Sequence, residues 1–220
     1  YVLTYNGEVY NYQELRRDLE QVGVSFRGHS DTEVVLAACE YWGIESAVAR
    51  FEGMFAFALY DIREHVLWLV RDPLGIKPLY YAAREKEFAF ASELQALQPL
   101  PWLDDSIDPA ALYAYFRYLC VPAPASILRG VRKLPSGSLL RRDAGGVRII
   151  RYWNAEARAK AARNDPLDLS FLAAADELEV RLRRSIRLHM QSDVPYGAFL
   201  SGGVDSSTVV ALMQAESTRP

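Results

Sequence analysis

Short apolar runs and helical stripes alternate along this chain of 220 residues, and their spacing predicts layered α and β structure. Residues 1–10 read as extended, interrupted by Asn6-Gly7, a turn-prone pair between β-formers. Asn11 opens a helix, with Glu14 completing a variant capping box. Leu15, Leu19 and Val22 share one face, and Gly23 supplies the stop. A second capping box runs from Ser30 to Glu33 and opens a helix through Val34, Val35, Ala38 and Tyr41, with Gly43 at its end.

Between Met54 and Ala91 the texture turns to β. Residues 54–60 and 66–70 are nearly continuous apolar runs, as in strands covered on both faces, and the polar residues 61–65 separate them. Residues 78–82 and 87–91 supply two more strands, and residues 109–116 a helix. Residues 138–152 form a hairpin turning at residues 143–146. Residues 154–168, rich in Ala, Arg, Asn and Asp, read as a domain linker. An amphipathic helix over 169–190 follows, with Ala175, Leu178, Leu182 and Ile186 on one face. Residues 196–200 then read as a short buried-type strand, residues 201–203 as a tight loop, and a helix starts at Asp205. That strand–loop–helix order is how an α/β nucleotide-binding domain begins.

Composition narrows the field without choosing a function. Half the residues are hydrophobic, and 25 basic against 28 acidic side chains leave a net charge of -3. Bulk electrostatic binding of nucleic acid is therefore disfavoured, and no partner of that kind is expected. Cys39 and Cys120 stand alone, which argues against a disulfide framework, and Cys39 reads as a buried thiol. His29, His65 and His189 lack ligand-like companions, so no zinc site is expected. No apolar run reaches the ~20 residues a membrane helix needs. With no membrane segment and no signal peptide, a cytoplasmic protein is expected. The opening on Tyr1 and the close on a barely started helix suggest a fragment of a longer protein.

Chemistry concentrates in two places. In Ser201-Gly202-Gly203-Val204-Asp205-Ser206-Ser207, two glycines let backbone approach an anion, and the amides face it from a positive helix terminus. Ser201, Ser206 and Ser207 add hydroxyl donors, and Asp205 a carboxylate suited to Mg²⁺ beside phosphate oxygens. The loop lacks the Lys of a Walker A motif, which disfavours γ-phosphoryl transfer. A grip on pyrophosphate suits attack by a carboxylate on the α-phosphorus instead, leaving an acyl-adenylate. The bland alternative is a Gly-Gly turn with a capped helix. The second place is Tyr5-Asn6-Gly7-Glu8 with Asp31. The Asn6 amide and the Gly7 N–H could converge as an oxyanion hole, and Glu8 and Asp31 could accept from a substrate ammonium. Here the bland alternative is a turn at 6–7 and a capped first helical turn at 30–31.

The stretches YNGEVYNY (5–12), SDTEV (30–34), RFEGMFAFALYD (50–61), RDPLGIKPLYY (71–81), FASELQAL (90–97), GVRKLPSG (130–137) and DVPYGAFLSGGVDSS (193–207) together resemble the glutamine-hydrolysing asparagine synthetase family. The resemblance implies two domains. Residues 1–153 would be a class II glutamine amidotransferase domain of the four-layer αββα, amino-terminal-nucleophile type, lacking its first part. Residues 169–220 would start an α/β pyrophosphate-loop domain. Asn6 and Gly7 would then be oxyanion donors, and Glu8 and Asp31 would hold the glutamine amino group. Leu200 would contact adenine, and Ser201, Gly202, Gly203, Asp205, Ser206 and Ser207 would hold ATP·Mg²⁺. Ammonia from glutamine would pass through a tunnel to an aspartyl-adenylate and yield asparagine. The implied partners are glutamine, ATP and aspartate or another carboxylate, and a homodimer is compatible with them. The cysteine nucleophile of that family, and the arginine segment that binds the glutamine carboxylate, have no counterpart here. A ligase for a different carboxylate, and a non-catalytic module without the nucleophile, stay open as alternatives. The 71–78 segment is read as a structural turn.

Overall fold

The computed structural model describes residues 1–192 and 194–217, and the chain divides into two units, residues 1–158 and 159–220. In the first unit, β1 (Val2–Val9), β2 (Gly53–Asp61), β3 (Val66–Arg71), β7 (Ser138–Asp143) and β8 (Gly146–Arg151) form one antiparallel sheet in the order β1-β2-β3-β7-β8. A second antiparallel sheet has β4 (Tyr80–Arg84) at its centre, between β5 (Glu87–Ala91) and β6 (Arg132–Lys133).

The two-residue period of β2 shows how the layers stack. Phe55, Phe57 and Leu59 face one way and join Leu15, Leu19, Val34, Val35 and Ala38 in a helix-side core. Those residues come from α1 (Tyr12–Gln21) and α2 (Asp31–Trp42), and the short α3 (Ile44–Val48) adds Ala47 and Val48. Ala56 and Ala58 face the other way, meeting Leu79, Tyr81 and Leu134 between the sheets. A third cluster around Ala82, Leu97, Leu128 and Val131 covers the outer face of the second sheet. The first unit is thus an α+β sandwich of helices, sheet, sheet and an outer layer. The near-continuous apolar run in β2 is explained by burial on both of its faces. The outer region also carries α4 (Pro109–Tyr118), started by Asp108, whose carboxylate accepts from the Ala110 and Ala111 amides.

Three local expectations are overturned. Asn6-Gly7 makes no turn, because β1 runs straight through it, with Asn6 opposite Ala56 and Gly7 opposite Phe55. Glycine is needed at position 7 for another reason. Its φ is +149°, and an added Cβ would lie 2.2 Å from the Met54 carbonyl oxygen of β2. Asn11 precedes α1 but does not cap it with its side chain. The amide donates to the Arg50 carbonyl and accepts from the Glu52 N–H, tying α1 to the lead-in of β2. Ser30 does cap α2, accepting from the Thr32 N–H, but Glu33 does not complete the box. Its carboxylate takes the Arg27 and Gly28 amides, which hold it below the usual carboxylate range.

The 71–78 segment proves to be a buried polar clasp. Asp72 is fully buried and accepts from the Leu74, Ile76 and Lys77 amides, while Arg71 donates to the Lys77, Gly75 and Leu134 carbonyls. Such a network fixes a loop by satisfying each polar group that burial strips of water.

Across residues assigned to the linker runs a helix, α5 (Ala155–Asn164), with Asn154 accepting from the Ala157 N–H. The second unit contains α6 (Phe171–His189) and α7 (Val204–Glu216). Arg183 and Arg187 of α6 both reach the Glu216 carboxylate of α7, at 2.8 Å and 3.1 Å. Residues 196–200 do not form the expected strand. Phe199 is fully exposed and Leu200 largely so, and the described residues of this unit contain no strand to supply a ladder partner. An apolar run cannot hold an extended backbone alone, because its N–H and C=O groups need a neighbour.

Candidate active site

β1 is an edge strand, so the chemistry-bearing residues 5–8 lie where one side of the backbone is open. Along it, Tyr5 packs with the helix-side core and Asn6 turns to the inter-sheet side. Asn6 lines a cavity of ≈ 200 Å³ with Thr4, Ala58, Leu79 and Phe90, and donates from Nδ2 to Ser92 Oγ at 3.2 Å. An amide nitrogen has two protons, so this bond leaves one for a ligand. Gly7 follows with no side chain to obstruct the edge.

Asp31 comes from another element, as the first residue of α2, yet the fold brings it to β1. Its Oδ2 accepts from the Tyr5 hydroxyl at 2.7 Å and from the Val9 N–H at 3.0 Å. The predicted segments 5–8 and 30–31 are thereby joined at one corner of the unit. Glu8 is half-buried and contributes to the same electrostatic neighbourhood. The Tyr5 hydroxyl is pushed well above the usual phenol range by burial, then by its bond to Asp31, then by the charges of Asp31 and Glu8. The open edge of β1 thus offers carboxylate acceptors from Asp31 and Glu8 and, toward the inter-sheet cavity, the amide donor of Asn6.

Neither cysteine lines the cavity beside Asn6. Cys39 sits in the helix-side core, where burial pushes its thiol up to about 12. Cys120 is exposed and borders a separate cleft with Tyr80, Tyr115 and Lys133.

In the second unit, the loop at 201–207 keeps features expected of an anion cradle. Gly202 has φ +82° and open space where a Cβ would lie. Gly203 precedes α7 and makes no side-chain cap bond, having no side chain to offer the first amides of that helix. Ser201 Oγ meets Ser206 Oγ at 2.9 Å across the loop, and Asp205 stands exposed in the first turn. This donor set fits a phosphate chain with a divalent cation, since uncapped amides supply hydrogen bonds and Asp205 a hard oxygen ligand. Ser207 and Leu200 are also exposed beside it, and Asp193 at the head of the 193–207 stretch lies outside the described residues.

Two residues of the first site have no role in the sequence reading: Tyr5, which lies within its 5–8 motif, and Ser92. Tyr5 could have been found from strand alternation, because it is the neighbour of Asn6 that must face the opposite side. Ser92 sits within the 90–97 stretch but is 86 residues from Asn6, and nothing local in the sequence signals that pairing.

Residues 1–153 match the family described as glutamine amidotransferase domain, and the chain belongs to that family. Residues 177–220 match the asparagine synthase family. The chain is 39% identical over 213 residues to asparagine synthetase [glutamine-hydrolyzing] 1 of Bacillus subtilis, covering 96% of this chain and 32% of that protein. It is 43% identical over 218 residues to a putative asparagine synthetase [glutamine-hydrolyzing] of Mycobacterium bovis, covering 96% of this chain and 33% of that one. It thus spans about a third of the length of the curated relatives it matches. Among solved structures, an allosteric regulatory enzyme of purine biosynthesis superposes with a TM-score of 0.50 at 22% identity, covering 68% of this chain and 28% of its own, a likeness of fold. No helix among the described residues is long and apolar enough to cross a membrane.

Proposed function

We propose that this chain is part of an ATP-dependent amide-forming ligase that takes ammonia from glutamine and transfers it to a carboxylate, with aspartate as acceptor and asparagine as product. The observation that carries the reading is the union of the 5–8 and 30–31 segments through Asp31 Oδ2. Attack on the glutamine side-chain amide builds negative charge on its oxygen, and the free Nδ2 proton of Asn6 and the Gly7 N–H stabilise it. Asp31 and Glu8 hold the substrate's ammonium, which fixes which end of glutamine reaches the cavity. The attacking thiolate comes from outside this chain's two cysteines, since Cys39 is buried and protonated and Cys120 borders a different cleft.

ATP with Mg²⁺, when bound, supplies the activation that turns an unreactive carboxylate into an acceptor for ammonia. Gly202, Gly203 and the amides opening α7 would hold its phosphates, with Ser201, Ser206 and Ser207 as hydroxyl donors. Asp205 would hold the cation, and Leu200 would offer an apolar surface to the base. The test uses the complete gene product with glutamine, aspartate, ATP and Mg²⁺. The expected products are glutamate, asparagine, AMP and pyrophosphate. Formation of ADP and phosphate, or amidation of another carboxylate in preference to aspartate, overturns the corresponding part.

A further inference from the structure

Asp31 receives its hydrogen bonds unevenly, and the unevenness identifies a residue with a role of its own. Oδ2 takes two well-formed bonds from a different element, the Tyr5 hydroxyl and the Val9 N–H, both donated by β1. Among the described residues, Oδ1 meets only the hydroxyls of Ser30 and Thr32, at 3.5 Å and 3.4 Å, the long limit for such bonds. The terminal torsion of an aspartate is broad, so a carboxylate without fixed partners samples many orientations. Here two donors on one oxygen fix its plane, and the second oxygen keeps acceptor capacity.

We propose that Tyr5 is a positioning residue for the glutamine site. It holds Asp31 Oδ2 so that Oδ1 is presented to the α-ammonium of the substrate, and it thereby sets selectivity for an amino acid over the corresponding amide without that group. This rests on the reading of Asp31 given under Proposed function. Strand pairing and ring packing hold Tyr5 in place. The residue pairs with Phe57 across β1 and β2, and its ring packs on Phe57 with centroids 6.3 Å apart. Its hydroxyl stays protonated, because burial and the adjacent carboxylates oppose its ionisation. It is therefore a constant donor and never a competing anion beside the ammonium.

A staple that only tied α2 to β1 would account for the same bond, and the test separates the two roles. Tyr5→Phe keeps the ring and removes the donor. In the complete gene product, hydrolysis of glutamine is compared with hydrolysis of 4-carbamoylbutanoate, which is glutamine without its α-amino group. The variant should raise KM for glutamine about tenfold, the scale of one hydrogen bond to a charged group, with kcat little changed and the analogue's kcat/KM within about twofold. The ratio of the two kcat/KM values then falls about tenfold. It is taken within one preparation, so a smaller folded fraction cancels. An unchanged ratio overturns the proposal, whether both substrates lose equally or neither does. Asp31→Asn, run alongside, separates this from failure of the underlying reading. If it collapses the ratio while Tyr5→Phe does not, Asp31 binds the ammonium unaided. If neither variant moves the ratio, the role of Asp31 itself is wrong.

Discussion

The edge of β1 and the loop before α7 both carry candidate chemistry, but they are held in opposite ways. At β1, three of the functional groups are fixed by something distant in sequence. Asn6 is held by Ser92, Asp31 by Tyr5 and Val9, and Gly7 by the close passage of β2. In the loop, the hydrogen bonds among the described residues stay within the loop and the first turn of α7, as between Ser201 and Ser206 or Ser206 and Gly203. The first arrangement is preorganised, which is what an oxyanion site requires. The second is a set of exposed donors around a Gly-Gly pair, suited to a charged ligand that brings its own binding energy.

The largest expected effect tests the independence of the two. In the complete gene product, Asp205→Ala should lower ATP-dependent synthesis, followed by pyrophosphate release, by about 10³-fold or more, the scale of losing a metal's charge stabilisation. Glutamine hydrolysis should remain readily measurable. Synthesis that survives would remove Asp205 from cation binding and leave only the helix terminus to explain the loop. Next in size, Asn6→Ala should slow glutamine hydrolysis by about 10²–10³, the usual result of removing one oxyanion donor. Synthesis supplied with free ammonia should persist. If glutaminase turnover is unchanged, the bond to Ser92 is structural and the cavity beside it has another use.

Gly7 shows how well, and how poorly, such positions can be read in advance. Its importance was legible, but the reason was not. A glycine after asparagine suggests a turn, whereas the strand continues and glycine is required because the Met54 carbonyl leaves no room. The same lesson holds at Asn11 and Glu33, whose local pattern promises caps. Each found backbone partners elsewhere, at Arg50 and Glu52 and at Arg27 and Gly28, because tertiary proximity offered the better bond. Apolar periodicity fared better. It located β2, β3, α2 and α6, since burial follows pattern over many residues and tolerates local error. Ser92 and the Asp72 clasp depend on which segments meet, and hydrophobic spacing does not encode that. A direct check on the Gly7 argument is Gly7→Ala in this chain. The added methyl should cost about 3 kcal/mol, from overpacking and an unfavourable φ together, seen as a lower urea midpoint for the sheet unit. An unchanged midpoint would mean that β1 and β2 separate easily, and the preorganisation of the first site would go with it.

The smallest expected effect bears on the second region. Phe199 is apolar, large and fully exposed, just before the loop, where apolar pattern alone predicts a buried strand. Replacing an exposed side chain that touches nothing changes stability by no more than about 0.5 kcal/mol, so Phe199→Ser in this chain should leave the unfolding curve in place. The same change at a packed aromatic would cost about 3–5 kcal/mol. A loss of 2 kcal/mol or more, on the scale of one buried apolar side chain, would therefore show that residues 196–200 are covered in solution. The loop would then be anchored by a packed strand as firmly as Asn6 is by β1, and the contrast between a preorganised site and a ligand-ordered one would no longer hold.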